Sequence, residues 1–365
     1  MNKNNKIKVA IGMSGGVDSS VAAALLKKQG YDVVGIFIQF WSEKVKGSAR
    51  DNVCCSFESK NDAQKVCRQL GMPFYTMNMK TDFKKAVVDD FICKYEKGDT
   101  PNPCVRCNKY IKFGEFIKRA KALGCDYVAT GHYSRITHHV ARNKYELKKS
   151  KDKEKDQTYF LHQLTQNQLK HVLFPVGKYT KPEVRKLAKK FDLPTKSKLE
   201  SQEVCFIPDG NLEKFLKRHL TFSAGDIKDI KTKEVLGQHK GLPVYTIGQR
   251  KGIGLAAGPW FVVRKDSKSN VLWVTNDEKD LLSNEFTVKN VNWIVGTENL
   301  LFPMRLKCKI RYRTKSVFAT IKKDSKSKSM NNYIVQFKKP QRAITKGQYA
   351  VFYKGKSCLG GGEIY

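Results

Sequence analysis

The sequence predicts an α/β domain built on a parallel sheet, followed by two small β-rich domains of which the last is a β-barrel. Apolar runs of strand length alternate with helical patterns as far as residue 131, which is typical of parallel β–α–β units. Beyond about residue 210, short β-type runs separated by Gly, Lys, Asn and Asp dominate, as in small barrels and sandwiches. We therefore divide the 365 residues into 1–210, 211–280 and 281–365.

The elements of the first domain are predicted from their apolar periodicity. Thr180 and Pro182 mark the start of its last predicted helix. The charge-dense run 148–160 is predicted to be solvated, and 169–173 to be helical. Ligands of such folds bind at the carboxyl ends of the strands, which here are followed by loops after residues 11, 38 and 130. The predicted strands are 7–13, 32–38, 74–79 and 126–131, and the predicted helices are 18–29, 61–70, 81–95, 110–123 and 181–191.

The charge balance indicates a polyanionic partner. Sixty-nine Lys and Arg residues against 34 Asp and Glu give a formal charge of +35, which favours nucleic acid through counterion release. The alternative is compositional drift in a lysine-rich proteome.

No run approaches the roughly 20 apolar residues of a membrane span, and we find no export signal, so we expect a cytoplasmic protein without a membrane partner. In that reducing compartment, most of the 10 cysteines are expected to be buried thiols.

A glycine-rich loop lies between the first predicted strand and helix, where residues 12–20 read GMSGGVDSS. Paired glycines let the backbone approach a polyphosphate, and a helix N-terminus offers unpaired N–H groups and a positive dipole end. The loop is not a Walker loop, because no Gly-Lys-Ser/Thr follows, and it lacks the spaced glycines of a dinucleotide-binding fold. The alternative is a tight turn that binds no ligand.

Two further segments carry cysteines. Residues 100–108 read TPNPCVRCN, in which Cys104 and Cys107 could share a metal, form a redox pair or tune each other's pKa. A structural zinc site would need a second ligand pair, which we do not find in the sequence. Residues 201–208 read SQEVCFIP, a polar run leading into an apolar strand that contains Cys205. Taken alone, Cys205 could be a small buried hydrophobic residue.

Together these segments resemble the bacterial and organellar tRNA-specific 2-thiouridylase family, and the likeness extends over essentially the whole chain. The loop is similar to the SGGxDS loop of the adenine-nucleotide α-hydrolase-like ATP pyrophosphatases. Supporting segments are GIFIQFW (35–41), ATGHYSR (129–135), KDQTYFL (155–161) and IRYR (310–313). The resemblance implies ATP, with Mg²⁺, as the cofactor. It assigns the nucleotide to Gly12, Met13, Ser14, Gly15, Gly16, Val17, Asp18, Ser19, Ile38 and Gly131.

The same resemblance implies which residues meet the RNA. The partners that it implies for this protein are the tRNAs for glutamate, lysine and glutamine, and a persulfide-donating desulfurase or relay protein. Asn102, Pro103 and Cys104 are expected to meet the target base. The alternative for the remaining positions is that they are ordinary exposed polar residues. The tRNA-contacting set implied by the family is His132, Lys155, Asp156, Gln157, Arg311, Tyr312 and Gln348.

The resemblance further implies a sulfurtransferase that adenylates the 2-oxygen of the wobble uridine, position 34. Cys205 receives a persulfide, Cys107 attacks the activated base or releases hydrosulfide from that persulfide, and a Cys107–Cys205 disulfide remains. Relatives often carry aspartate at the position of Cys104. The three cysteines could instead ligate a 4Fe–4S cluster, so both routes stay open. Other classes considered are an adenylating synthetase with a small substrate and a non-catalytic RNA-binding protein.

Overall fold

The computed structural model describes residues 6–41, 43, 56–199, 204–207, 210–298, 300–327 and 329–365. By contact density the chain forms two compact units. One comprises Met1–Val88, Pro103–Gly210 and Gly355–Leu359, and the other Asp89–Asn102, Asn211–Lys354 and Gly360–Tyr365.

The first unit is built on a five-stranded parallel sheet, which confirms the predicted α/β class. The strand order is β3-β2-β1-β4-β7, so β1 lies at the centre, with Ala10 opposite Val34 on one side and Val128 on the other. β1 and β2 are continuous apolar runs because helices cover both faces of a parallel sheet. The strands are β1 Lys8–Gly12, β2 Asp32–Gln39, β3 Phe74–Asn78, β4 Tyr127–Ala129 and β7 Val172–Leu173.

The helices begin and end where local signals place them. α9 starts at a capping box, in which Thr180 accepts from the Glu183 N–H and Glu183 accepts from the Thr180 N–H. α1 is buried along nearly its whole length in the core between sheet and α9. Two π-helical stretches, Lys84–Val88 and Cys107–Glu115, interrupt longer helices. The α-helices are α1 Val17–Lys28, α2 Phe57–Gln69, α3 Lys80–Phe83, α4 Asp89–Glu96, α5 Pro103–Arg106, α6 Phe116–Ala122, α7 Thr158–Leu161, α8 Gln166–Leu169, α9 Lys181–Lys190 and α10 Leu212–His219.

Several local predictions differ from the structure. The helix expected at 110–123 begins at Pro103, because proline fits a first helical turn that needs no N–H donor. The region 134–149 forms a hairpin of β5 Ser134–His139 and β6 Lys144–Lys149, which periodicity did not reveal. The segment 148–160 is not wholly solvated, since Asp156 and Thr158 are buried. Residues 204–207 form a turn instead of the predicted strand.

The second unit contains two β structures, as predicted. A four-stranded sheet has the order β10-β11-β8-β9 around a small apolar core that includes Leu272 and Val274. A six-stranded barrel has the order β12-β15-β14-β13-β16-β17 and closes by pairing of β12 with β17. Closure leaves no free edge in the barrel. The strands are β8 Gly225–Asp229, β9 Val235–His239, β10 Phe261–Asp266, β11 Val271–Thr275, β12 Leu282–Trp293, β13 Met304–Lys309, β14 Val317–Lys323, β15 Tyr333–Arg342, β16 Tyr349–Lys354 and β17 Ser357–Ile364.

Candidate active site

The glycine-rich loop connects the central strand β1 to the N-terminus of α1. Ser14 and Ser19 place their hydroxyls 3.2 Å apart, and the Ser19 and Ser20 hydroxyls both donate to the Gly16 carbonyl, at 3.1 and 2.9 Å. No side chain of the described residues caps α1 at Gly16. The helix N-terminus therefore presents its backbone N–H groups to the loop, an arrangement suited to an anion.

Glycine is required in this loop by close backbone approach. Gly15 has φ +71°, and a Cβ added there would lie 2.2 Å from the Ser59 carbonyl oxygen near the start of α2. Gly131, which follows β4, lies so close to the loop that a Cβ would be 2.7 Å from the Ser19 nitrogen. Ile38 is buried at the carboxyl end of β2. The predicted nucleotide residues therefore gather at the carboxyl edge of the sheet.

Asp18 of the loop is held by two residues that are distant in sequence. The Lys181 ammonium lies 2.7 and 2.9 Å from the two carboxylate oxygens, and the Tyr133 hydroxyl donates to Oδ1 at 2.7 Å. Only 10% of the Lys181 side chain is exposed, against 32% for Asp18. Sequence analysis missed Lys181. The available signal was a lysine in the first turn of α9, where the helix dipole disfavours a positive charge.

Cys104 and Cys107 lie one turn apart in the helix that begins at Pro103. Cys104 is exposed and Cys107 is buried, so the two thiols differ in access to solvent. Between them, Arg106 donates from Nε to the Ala86 carbonyl at 2.8 Å, and its guanidinium lies 5.0 Å from the centre of the Tyr110 ring. Ala86 belongs to the other π-helical stretch, so Arg106 joins the two irregular segments.

The π-helical stretch that begins at Cys107 is supported by side-chain amides. Gln168 donates from Nε2 to the carbonyls of Lys109 and Phe113, at 3.0 and 2.7 Å. Asn108, buried, donates from Nδ2 to the Phe160 carbonyl at 3.1 Å. These bonds satisfy carbonyls that an irregular helix leaves poorly paired, and π-stretches are frequent at functional sites.

Cys205 lies in the turn at 204–207 and is half-buried. Its neighbour Phe206 is buried with its ring 5.7 Å from that of Phe83. Residues 201–203 and 208, which complete the predicted motif, lie outside the described residues. Within the part of the chain that the structure describes, no three His, Cys, Asp or Glu side chains are arranged to hold a metal ion.

His132 is packed against aromatic side chains. Its ring lies 5.7 Å from that of Phe113 and 5.9 Å from that of Phe174, and its Nδ1 is 2.7 Å from the Thr130 hydroxyl. Burial, with a contribution from Lys112, holds the pKa of His132 well below its usual value. His132 is therefore neutral at physiological pH and can offer a hydrogen bond but no positive charge.

The segment Lys155–Gln157 is engaged with its own domain. The Asp156 carboxylate is buried and accepts from the Ser150 N–H at 3.0 Å and the Thr158 hydroxyl at 2.7 Å. Gln157 accepts from the Tyr133 N–H at 2.9 Å. Both side chains hold the turn that presents Lys155.

In the second unit, Arg311 and Gln348 also bind protein groups. The Arg311 guanidinium donates to the Ile247 and Ala343 carbonyls, at 3.1 and 3.0 Å, and to the Thr345 hydroxyl. Gln348 donates from Nε2 to the Thr100 carbonyl at 2.7 Å. Next to Arg311, the Tyr312 ring lies 5.3 Å from the Lys309 ammonium.

None of the helices in the described ranges is long and apolar enough to cross a membrane.

Comparisons with known proteins cover the whole chain. Family models described as a tRNA methyl transferase HUP domain, a tRNA methyl transferase PRC-barrel domain and an aminomethyltransferase β-barrel domain match residues 7–209, 213–276 and 283–364. The tRNA-specific 2-thiouridylase MnmA 1 of Thermoanaerobacter pseudethanolicus is 47% identical over 100% of this chain and 99% of its own. The tRNA-specific 2-thiouridylase MnmA of Clostridium perfringens is 46% identical over 98% of both chains.

The MnmA of Clostridioides difficile is 45% identical, again over 98% of both chains. The descriptions of the domain models mention methyl transfer, whereas these full-length relatives are named for thiolation. The relatives decide the family because each match spans the loop, the cysteine segments and the barrel together. The chain belongs to the tRNA-specific 2-thiouridylase family of sulfurtransferase enzymes.

Proposed function

We propose that this enzyme uses ATP to replace the 2-oxygen of the wobble uridine of tRNA with sulfur, giving 2-thiouridine, AMP and pyrophosphate. The observation that carries the proposal is the loop at residues 12–19, which joins β1 to the uncapped N-terminus of α1. It occurs in a chain that is 47% identical over its full length to a protein named as a tRNA-specific 2-thiouridylase. The division into domains 1–210, 211–280 and 281–365 is part of the proposal.

The nucleotide would bind at the carboxyl edge of the parallel sheet. Residues 12–19 would hold the ATP phosphates with backbone N–H groups and serine hydroxyls, and Ile38 and Gly131 would line the nucleoside pocket. The Ser14 and Ser19 hydroxyls, 3.2 Å apart, support this role because they bond to each other and to backbone groups in the same loop. A Mg²⁺ ion would accompany the phosphates and offset their charge.

Adenylation makes the uracil oxygen displaceable. The 2-oxygen attacks the α-phosphorus of ATP, pyrophosphate leaves, and the oxygen becomes part of an AMP ester. Asn102, Pro103 and Cys104 would hold the target base. Oxide is a poor leaving group, whereas AMP leaves readily, so a sulfur nucleophile can then take its place at C2.

Sulfur transfer would use Cys205 and Cys107. A desulfurase or relay protein loads Cys205 as a persulfide, and the Cys107 thiolate attacks the inner sulfur of that persulfide. The outer sulfur leaves as hydrosulfide and adds to C2, AMP leaves, and Cys107 and Cys205 remain as a disulfide. In the variant route, Cys107 attacks C2 of the adenylated base first and AMP leaves. The outer sulfur of the Cys205 persulfide then displaces Cys107 from C2, and the released Cys107 thiolate attacks the inner sulfur, which frees the thiolated base and leaves the same disulfide. Two electrons from a thiol reductant then restore both thiols.

A 4Fe–4S cluster on Cys104, Cys107 and Cys205 is the alternative route, and the iron dependence of thiolation decides between the two. We propose the persulfide route. Cys104, which is exposed, is proposed as an accessory thiol beside the base. Relatives often have aspartate at this position, so the role of the Cys104 thiol is a question for experiment.

tRNA would be bound by the implied set, His132, Lys155, Asp156, Gln157, Arg311, Tyr312 and Gln348. A cationic barrel surface supports an RNA partner. Arg305 and Lys307 of β13 lie 5.0 and 5.3 Å from the ring of Phe318, which is 49% exposed. Cations beside an exposed aromatic ring suit a phosphate backbone and a stacking base.

The experiment that tests the function is anaerobic thiolation by iron-free enzyme. The reaction contains ATP, Mg²⁺, a persulfide donor and unmodified tRNA for glutamate, lysine or glutamine, and mass spectrometry of the digested tRNA measures 2-thiouridine. We expect 2-thiouridine without iron. Its formation only after cluster reconstitution would replace the persulfide route with the cluster route. Its absence in both states would refute the proposed function.

Matched variants sharpen that experiment. Cys107→Ser and Cys205→Ser are expected to make no 2-thiouridine, whereas Cys104→Ser retains activity if it is an accessory thiol. Cys125→Ser, a change at a buried cysteine before β4, is the control. AMP formation that needs a small acid or amide instead of tRNA would favour a small-substrate synthetase. Binding of tRNA without any pyrophosphate release would favour a non-catalytic RNA-binding protein.

A further inference from the structure

Cys104 has no step of its own in the proposed sulfur transfer, although it lies three positions before Cys107 on the same helical run. α5 Pro103–Arg106 leads directly into the π-helical stretch Cys107–Glu115. Residues three apart on a helix share one face, and their Cα atoms lie roughly 5 Å apart. A disulfide spans Cα atoms that are roughly 4.4–6.8 Å apart. The spacing therefore allows Cys104 and Cys107 to pair within one turn.

Exposure to solvent distinguishes the three cysteines of the site. Cys104 is exposed, Cys107 is buried with 6% of its surface accessible, and Cys205 is half-buried in the turn at 204–207. In thiol–disulfide exchange, the attacking sulfur must reach the sulfur that it attacks. A disulfide between Cys107 and Cys205 is therefore poorly accessible to a protein reductant, whereas the Cys104 sulfur is open to one.

The turn at 204–207 and the helix of the two thiols pack against the same short segment. Phe206 of the turn places its ring 5.7 Å from that of Phe83. Arg106 of the helix donates from Nε to the Ala86 carbonyl at 2.8 Å. Because Phe83 and Ala86 are only three positions apart, the cysteine of the turn lies in the same neighbourhood as the helix pair. A thiol held there has an effective concentration far above that of a dissolved reductant.

We propose that Cys104 is a resolving thiol, which attacks the disulfide left by sulfur transfer and so releases Cys205. The Cys104 thiolate attacks the Cys107 sulfur, a Cys104–Cys107 bond forms, the Cys107–Cys205 bond breaks, and Cys205 leaves as a thiolate. The proton that Cys104 loses before the attack is taken up by Cys205. No net oxidation or reduction occurs, because the exchange only moves the disulfide. The inference rests on the proposed function, which supplies the Cys107–Cys205 disulfide.

A protein dithiol then completes the cycle at the exposed sulfur. Its first thiolate attacks the Cys104 sulfur and Cys107 leaves as a thiolate, after which the second thiol of the reductant displaces Cys104. Two electrons pass to the enzyme, and the reductant ends as a disulfide. The Cβ atoms of a helical pair must approach by roughly 1 Å to form the Cys104–Cys107 bond, so this bond is strained and readily reduced.

The test compares Cys104→Ser with the parent enzyme, using thioredoxin as the reductant. The prereduced enzyme receives ATP, Mg²⁺, a persulfide donor and unmodified tRNA, and mass spectrometry follows 2-thiouridine per enzyme over time. Both proteins should form the first equivalent at rates within about twofold of each other, because no disulfide has yet to be reduced. Later turnovers of Cys104→Ser should be about tenfold slower or more. Cys93→Ser, a change at a half-buried cysteine of α4, is the control that should match the parent.

Disulfide mapping gives a second readout, which does not depend on rates. Trypsin cleaves after Arg106, between the two thiols, so a Cys104–Cys107 bridge and a Cys107–Cys205 bridge join different peptides. Parent enzyme quenched with N-ethylmaleimide during turnover should contain the Cys104–Cys107 bridge. Cys104→Ser treated in the same way should accumulate the Cys107–Cys205 bridge.

Three results would overturn the inference. The first is continued thiolation by Cys104→Ser at the parent rate, and the second is a parent enzyme without the Cys104–Cys107 bridge. The third is loss of the first equivalent in Cys104→Ser, since Cys104 would then act in sulfur transfer itself or as a cluster ligand. If the parent forms no 2-thiouridine, the proposed function fails. Mapping of the diamide-oxidised parent then still tests the pairing, and absence of the Cys104–Cys107 bridge there would refute it.

Discussion

The Lys181 ammonium lies 2.7 Å from the Asp18 carboxylate, and this contact joins the first turn of α9 to the glycine-rich loop. Asp18 lies two residues after the paired glycines, in the first turn of α1. Tyr133 adds a hydrogen bond to the same carboxylate. The loop is therefore preorganised by residues from two other elements, which lowers the cost of ordering it around a ligand.

We expect Lys181→Met to weaken ATP binding and to reduce stability by about 2 kcal/mol, because removing one partner leaves a partly buried carboxylate uncompensated. Lys181→Arg should restore part of both. The measurements are ATP titration calorimetry and urea unfolding. Lys151→Met is the matched control, since Lys151 pairs with Glu183 on the exposed side of α9. Equal effects of the two methionine variants would contradict a special role for Lys181.

Gly15→Ala should abolish ATP-dependent pyrophosphate release. The added methyl group would lie 2.2 Å from the Ser59 carbonyl, and φ +71° disfavours a side chain in any case. Gly30→Ala separates the steric clash from the strain of a positive φ. Gly30 has φ +85° but nothing within 4 Å of an added Cβ, so it should cost only about 1 kcal/mol of stability and leave catalysis intact. Pyrophosphate release by Gly15→Ala at the parent rate would show that the loop tolerates displacement.

Lys265 should make stability depend on pH in a defined direction. Burial lowers the pKa of Lys265 from 10.5 to about 8, although Asp99 opposes the shift. Between these values the unfolded chain holds a proton that the folded chain has released, so the free energy of unfolding rises with pH. Between pH 7 and 9.5, the parent should gain about 2 kcal/mol relative to Lys265→Met. Urea unfolding of both proteins at the two pH values measures the difference, and parallel pH profiles would refute the prediction.

Cysteine reactivity should follow burial. Cys104 is exposed, whereas burial raises the pKa of Cys67 to about 12 and also raises that of Cys308. Under native conditions, iodoacetamide should therefore modify Cys104 well before Cys67 or Cys308, because only thiolates react. Peptide mass spectrometry follows each site over time, and the same reaction in urea is the control in which all three should react. Early modification of Cys67 in the native protein would contradict its packing.

Local patterns predicted the elements that depend on neighbours in sequence. The strands around the loop, α1, and the capping box at Thr180 and Glu183 all rest on contacts within a few residues. The hairpin at 134–149 was missed because its strands carry Arg, His and Lys, which hide the alternation. The turn at Cys205 was misjudged as a strand for the opposite reason, since Val204, Phe206 and Ile207 form a short apolar run.

By itself, the sequence determined the fold class, the position of the loop and the cysteines available for chemistry, because residue type and short spacing are sufficient for these. Only the tertiary structure decided which distant groups meet. Lys181 reaches Asp18 across 163 residues, and Gln348 reaches Thr100 across 248. Such contacts arise from the packing of whole elements, and local periodicity carries no record of them. Tertiary packing therefore determines the contacts that hold the site residues in place, whereas short sequence motifs already identify the residues available for its chemistry.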